Sequence, residues 1–178
     1  MKPVKAITFC AVIAALASVI MLASYIPYIT YASAALAGLV FIVLVIELSK
    51  RWALLAFLVT AIFAALFAEP YSKVLFICFL GYYPILKAIL DQIKNSALRV
   101  ALKLLCFNAA AALSFFALNY VVSVPFEQIP FKNIYIAAAV LVANLIFLLY
   151  DYGINGVVQF YMTRLHTTVY SMLKGNRQ

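Results

Sequence analysis

Charge is scarce in this chain, and acid is scarcest. Only 10% of the 178 residues are Asp, Glu, Lys or Arg, and five of them are acidic. A soluble globular chain carries about 25% charged residues. So few charges cannot coat the surface of a water-soluble fold of this length, which excludes a soluble enzyme, a disordered tail and a secreted disulfide domain. The three cysteines, Cys10, Cys78 and Cys106, form no CxxC and are odd in number, so packing is their expected role. His166 is the single histidine. There is no HExxH, no paired-carboxylate set and no Ser/His/Asp combination within the apolar runs, which speaks against an enzyme and against a metal or other cofactor. There is no Walker A sequence either, so this chain is not expected to hydrolyse ATP itself.

What remains is apolar: 69% of the residues are hydrophobic. A membrane-spanning helix needs about 20 mostly apolar residues. Breaks in the apolar runs mark six such segments: residues 6–26, 31–48, 52–68, 74–90, 102–124 and a last one from 133 to 161 or beyond. Pro27, Ser49-Lys50-Arg51, Glu69-Pro70 and Pro125 provide four of the breaks. The runs are continuous rather than alternating, which disfavours a β-barrel. The expected fold is all-α, a polytopic bundle of six transmembrane helices forming a single domain over residues 1–178. The first apolar run is too long for the h-region of a cleaved signal peptide, about 7–15 residues.

Basic residues orient the bundle. With the N-terminus inside, Lys2, Lys5, Lys50, Arg51, Lys87, Lys94, Arg99, Lys103, Arg164, Lys174 and Arg177 fall on the cytoplasmic side, and only Lys73 and Lys132 fall outside. Both termini are therefore expected in the cytoplasm of a multi-pass cell-membrane protein. The net charge of +8 reflects this topology and attraction to anionic lipid, not nucleic-acid binding.

The outer loops, residues 24–31, 69–73 and 124–132, each combine proline with aromatic residues. They suit an aromatic belt at the headgroups or a lid over an outward-facing pocket. On the second reading Tyr28, Tyr31, Glu69, Tyr71 and Lys73 are candidate substrate-binding residues, joined by Asn119 and Tyr120 at the outer end of the fifth span and by Asn144 in the sixth. The inner connection, residues 91–103, lacks Pro and Gly and has helical spacing: it is either a basic cytoplasmic loop, or helix continuing into the cytoplasm or lying on the membrane surface and offering a docking surface.

Within the bilayer, Ala11 and Ala15 lie one turn apart in a small-xxx-small arrangement that permits close helix approach. They serve either internal packing or a partner. In the sixth span Asn144, Asp151, Asn155 and Gln159 form a polar stripe, spaced 7, 4 and 4 residues apart. Polar groups in lipid face protein or a cavity, and Lys87 or Lys103 is placed to pair with Asp151. Pro84 removes a helical donor and frees the Leu80 carbonyl.

The first span, Ile7-Thr8-Phe9-Cys10-Ala11-Val12-Ile13-Ala14-Ala15-Leu16-Ala17-Ser18-Val19-Ile20-Met21-Leu22 behind a basic N-terminus, resembles the first helix of the substrate-binding S components of energy-coupling-factor (ECF) transporters. Size, six spans and structured outer loops fit that resemblance. It implies capture of a small, vitamin-like molecule, for which Tyr- and Phe-rich loops suggest a flat heteroaromatic compound. It also implies a transmembrane coupling subunit contacted by Ala11 and Ala15, and two cytoplasmic ATPases. The metal-specific branch of that family uses an N-terminal histidine; here Lys2 follows Met1, which disfavours nickel or cobalt. The alternative is a non-transport assembly or scaffold protein resembling the rod-shape membrane protein MreD.

Overall fold

In the computed structural model the backbone is described for residues 3–122 and 132–174, and the side chains for 4–118 and 137–171. The described elements are all helical: α1 (Pro3–Leu22), α2 (Thr30–Glu47), α3 (Lys50–Phe67), α4 (Pro70–Leu75), α5 (Tyr83–Leu90), α6 (Ser96–Val122), α7 (Lys132–Arg164) and α8 (His166–Lys174). Six stretches are long and apolar enough to cross a membrane, the fourth being α4 and α5 taken together. The chain is an all-α, multi-pass membrane bundle.

α1, α2 and α3 pack mutually. Their contact is built on small residues: Ala14, Ala17, Ala34, Ala37, Ala53, Ala56 and Ala64 are all buried. Small side chains bring backbones close, and packing must do this work because lipid gives apolar helices no hydrophobic reason to associate. Thr60 Oγ1 donates to the Ala14 carbonyl across that contact at 3.3 Å. The opposite faces carry large apolar side chains outward, among them Val12, Val19, Leu58, Ile62 and Leu66, as lipid exposure demands.

The fourth span is interrupted. Phe76–Leu80 forms a π-helical turn, closed by the Gly81 amide donating to the Phe76 carbonyl at 2.9 Å. Pro84 lies in the first turn of α5. The Leu80 carbonyl that this proline frees is covered by α2: a Cβ on Gly38 would collide with it. The neighbouring helix approaches through a residue without a side chain, so the carbonyl is shielded from lipid rather than left open to a ligand.

Residues 91–103 do not form one continuous helix. α5 ends at Leu90 and α6 begins at Ser96, because Asn95 acts as a helix start. Its Oδ1 accepts from the amides of Ala97 at 3.0 Å and Leu98 at 3.4 Å, the bonds of an N-cap. The docking surface expected of a continuous amphipathic helix is replaced by a tight turn.

Candidate functional site

Where α5, α6 and α7 meet, the structure gathers Tyr83, Lys87, Asp91, Lys103 and Asp151. Lys87 Nζ donates to Asp151 Oδ1 at 2.6 Å, and Lys103 Nζ lies 3.1 Å from Asp151 Oδ2. The Tyr83 hydroxyl donates to the same Oδ1 at 2.5 Å. A second carboxylate closes the group: Asp91 Oδ1 is 2.6 Å from Lys103 Nζ, and its Oδ2 is 3.4 Å from Lys87 Nζ. Each lysine thus bridges both acids, and the four charges cancel. This balance is what lets Lys87 and Lys103, 4% and 5% exposed, sit inside a membrane bundle. A buried cation without a paired anion is strongly disfavoured.

The two acids are held differently. Asp151 stands in the body of α7, accepts from three side chains, and has an 18% exposed side chain. Asp91 follows the last residue of α5, pairs among the described side chains with the two lysines, and is 38% exposed. Above the charges lies an aromatic layer. Phe107 and Phe147 stack with centroids 4.5 Å apart, Tyr83 meets Phe147 edge-on at 5.2 Å, and the Tyr150 ring is 5.9 Å from that of Tyr83. One layer further on, Asn108 and Asn144 exchange amide hydrogen bonds of 2.9 and 3.2 Å.

The polar stripe of the sixth span therefore divides. Phe147, Ile154 and Tyr161 form the buried face of α7. At ~100° per residue, Asp151 lies ~40° from Phe147, Asn155 ~80° and Gln159 ~120°. Steps of seven stay on a helix face and steps of four walk off it. Asp151 is drawn into the cluster, whereas Asn155 and Gln159 are exposed, which corrects the expectation that Asn155 shares the inward stripe. Asn144 is half-buried with its amide occupied by Asn108, Val140 and internal packing, not left open for a substrate.

The other candidate substrate residues do not converge either. Tyr28 is fully exposed in a turn at φ 72°, Tyr31 is exposed, and Tyr71 lies at the surface. Glu69 caps α4 by accepting from the Ser72 amide at 2.9 Å. Lys73 reaches back to the Ala65 carbonyl at 3.5 Å. The polar groups at this end bind one another: Ser24 Oγ accepts from the Glu69 amide, Thr30 Oγ1 donates to the Ser24 carbonyl, and the Ser33 and Ser72 hydroxyls meet at 3.2 Å. The side chains of Asn119 and Tyr120 and the loop 123–131 lie outside the described residues.

Ala11 and Ala15 face outward from α1, while Ala14 and Ala17 are buried. Their small-xxx-small pair is not used inside the described bundle. A second polar group at the α2 terminus went unread in the sequence: Tyr161 Oη and His166 Nδ1 both lie 2.7 Å from Glu47 Oε1, while the buried Oε2 has no partner among the described residues. Nothing local signals this group or the part played by Tyr83, and for Asp91 the sole local sign is its i,i+4 spacing from Lys87. The partners of Tyr83 and Glu47 stand 68 to 119 residues away, and those of Asp91 are Lys87, one helix turn back, and Lys103, across the turn into α6. Comparison with models of protein families, with curated proteins and with solved structures finds no match.

Proposed function

We propose that this chain is the membrane-embedded capture component of a small-molecule uptake system. It binds a vitamin-like, flat compound at the outer end and works with an ECF-type transmembrane coupling subunit and two cytoplasmic ATPases. The orientation, with both termini in the cytoplasm of a cell membrane, belongs to the same reading and rests on the eleven-to-two distribution of basic residues. One observation carries the partner: α1 turns Ala11 and Ala15 outward, one turn apart, a pair of small residues at which a second membrane helix can approach closely. The first-helix resemblance implies a coupling contact at the same residues. Exposed Tyr28, Tyr31 and Tyr71 supply aromatic faces for the compound.

Native mass spectrometry of protein purified with a co-expressed ECF-type coupling subunit tests this directly. A stoichiometric small molecule and a bound membrane subunit that is lost on Ala11→Leu/Ala15→Leu are the expected results. A ligand-free, partner-free protein overturns the reading.

The scaffold alternative has its own support. Glu69, one of the candidate substrate-binding residues, is occupied as a helix cap, and Ser24, Thr30, Ser33 and Ser72 bind one another. An outer end built for rigidity suits a protein that assembles others without transporting anything. Persistent capture of cell-envelope assembly proteins with no small molecule favours this reading.

A further inference from the structure

We propose that Lys87 and Lys103 form an anion-binding site whose resident occupant is the chain's own Asp91, and that a phosphate group entering where α5 turns into α6 displaces it. The inference goes beyond the transport reading and rests on the geometry of the cluster.

The two lysines are fixed and nearly inaccessible. Asp151, held by Tyr83 as well as by both ammonium groups, neutralises one of their charges permanently. The other charge is neutralised by a carboxylate of a different kind. Asp91 lies on the short turn between α5 and α6, more than a third exposed, and offers one oxygen to each lysine. That is the geometry of a bridging oxyanion. A tetrahedral phosphate presents the same pair of oxygens with more charge, and lysine binds phosphate as a point charge. Removing Asp91 leaves two buried cations facing one acid, an imbalance that an anion relieves.

Two further features favour an anion here. Lys94 is exposed on the turn before α6 and Arg99 half-exposed in the first turn of α6, so the potential at this end draws anions in. Tyr150, whose ring lies 5.9 Å from that of Tyr83, keeps a buried hydroxyl with no partner among the described residues. Because the internal carboxylate competes, the wild-type site responds weakly to a ligand until the turn moves, as expected for any site only fractionally open.

The test compares wild type, Asp91→Asn, and Asp91→Asn/Lys103→Gln in detergent, in chloride and in inorganic phosphate at equal ionic strength. Asp91→Asn should gain about 2–4 °C in Tm in saturating phosphate, wild type clearly less, and the charge-balanced double variant nothing. An Asp91→Asn protein with the same Tm in both salts, given no rescue by lipid, overturns the site. Equal gains in wild type and Asp91→Asn overturn the claim that Asp91 occupies it. A parallel series adds phosphatidic acid to the micelles. Stabilisation by inorganic phosphate assigns a soluble ligand, stabilisation by phosphatidic acid alone assigns a lipid headgroup, and either supports the site. Should Asp91→Asn not purify in chloride, recovery in phosphate supports the site. Failure in both, with the double variant recovered, overturns it.

Discussion

Lys87 on α5 and Asp151 on α7 are 64 residues apart in the chain, and their charged atoms are 2.6 Å apart in the bundle. That ion pair, shared with Lys103 and Asp91, ties the interrupted fourth span to the last two. Asp151→Leu strands two lysines against Asp91 alone and should cost about 3–5 kcal/mol. Asp151→Leu/Lys87→Leu restores neutrality with apolar side chains and should cost clearly less than the single change. Thermal unfolding in detergent, followed by circular dichroism, measures both. A double variant no more stable than the single one would show that charge balance is not what the cluster provides.

Gly38 and Gly81 are required by contact. A Cβ on Gly38 meets the Leu80 carbonyl, and one on Gly81 meets the Phe57 ring at 2.7 Å and the Phe76 carbonyl at 2.8 Å. Gly38→Ala should destabilise by about 1–3 kcal/mol or more, since backbone cannot yield as a side chain does. Gly153 and Gly156 have open space around them. Gly153→Ala should be neutral or stabilising by up to about 1 kcal/mol through helix propensity. Parallel melting curves of the two alanine variants decide the point, and equal effects would contradict the close approach of α2 to the π-helical turn.

The spans were readable because apolar runs are interrupted by residues that stop helices for local reasons. Pro27, Glu69 and Pro70, and Ser49 before two basic residues, act within a turn of where they stand. The start of α6 was misplaced because Asn95 capping depends on a backbone turn that no apolar period reveals. Asp151 was recognisable as an acid in a span, and its lysine partners followed from depth. The second acid was not, since Asp91 lies at a span's edge where a charge needs no special explanation. The local pairing of the outer polar residues was not legible for the opposite reason: their types suit a ligand, and the short loops that turn them toward one another, as Glu69 with Ser72 and Ser24 with Glu69 show, leave no mark in the sequence.

The two alanine pairs of α1 separate folding from docking. Ala14 and Ala17 are buried against α2 and α3, so Ala17→Leu should overpack that contact and cost about 1–3 kcal/mol. Ala11→Leu/Ala15→Leu adds side chains on the outward face and should leave the Tm of the isolated protein within about 1 °C, a surface-type effect. Measured on the protein alone, a large loss from the Ala11/Ala15 pair would mean that this face is packed within the bundle.

Topology is open to a labelling test that the structure refines. Ser72 is fully buried and bonded to Ser33, so a cysteine there would report burial rather than sidedness. Tyr28 is fully exposed on the turn between α1 and α2, and Lys94 is exposed on the turn between α5 and α6. Odd numbers of spans separate these turns, so they must lie on opposite faces of the membrane. If basic residues set the orientation, Tyr28→Cys should react in intact cells with an impermeant maleimide, and Lys94→Cys only after lysis. Cys10, Cys78 and Cys106 lie within spans and are buried or half-buried, so the unmodified chain should give little background. The reverse pattern would invert the orientation, place the Lys87–Asp151 cluster on the outer side, and move the phosphate entry with it. Labelling of both positions in intact cells would contradict the six-span arrangement itself.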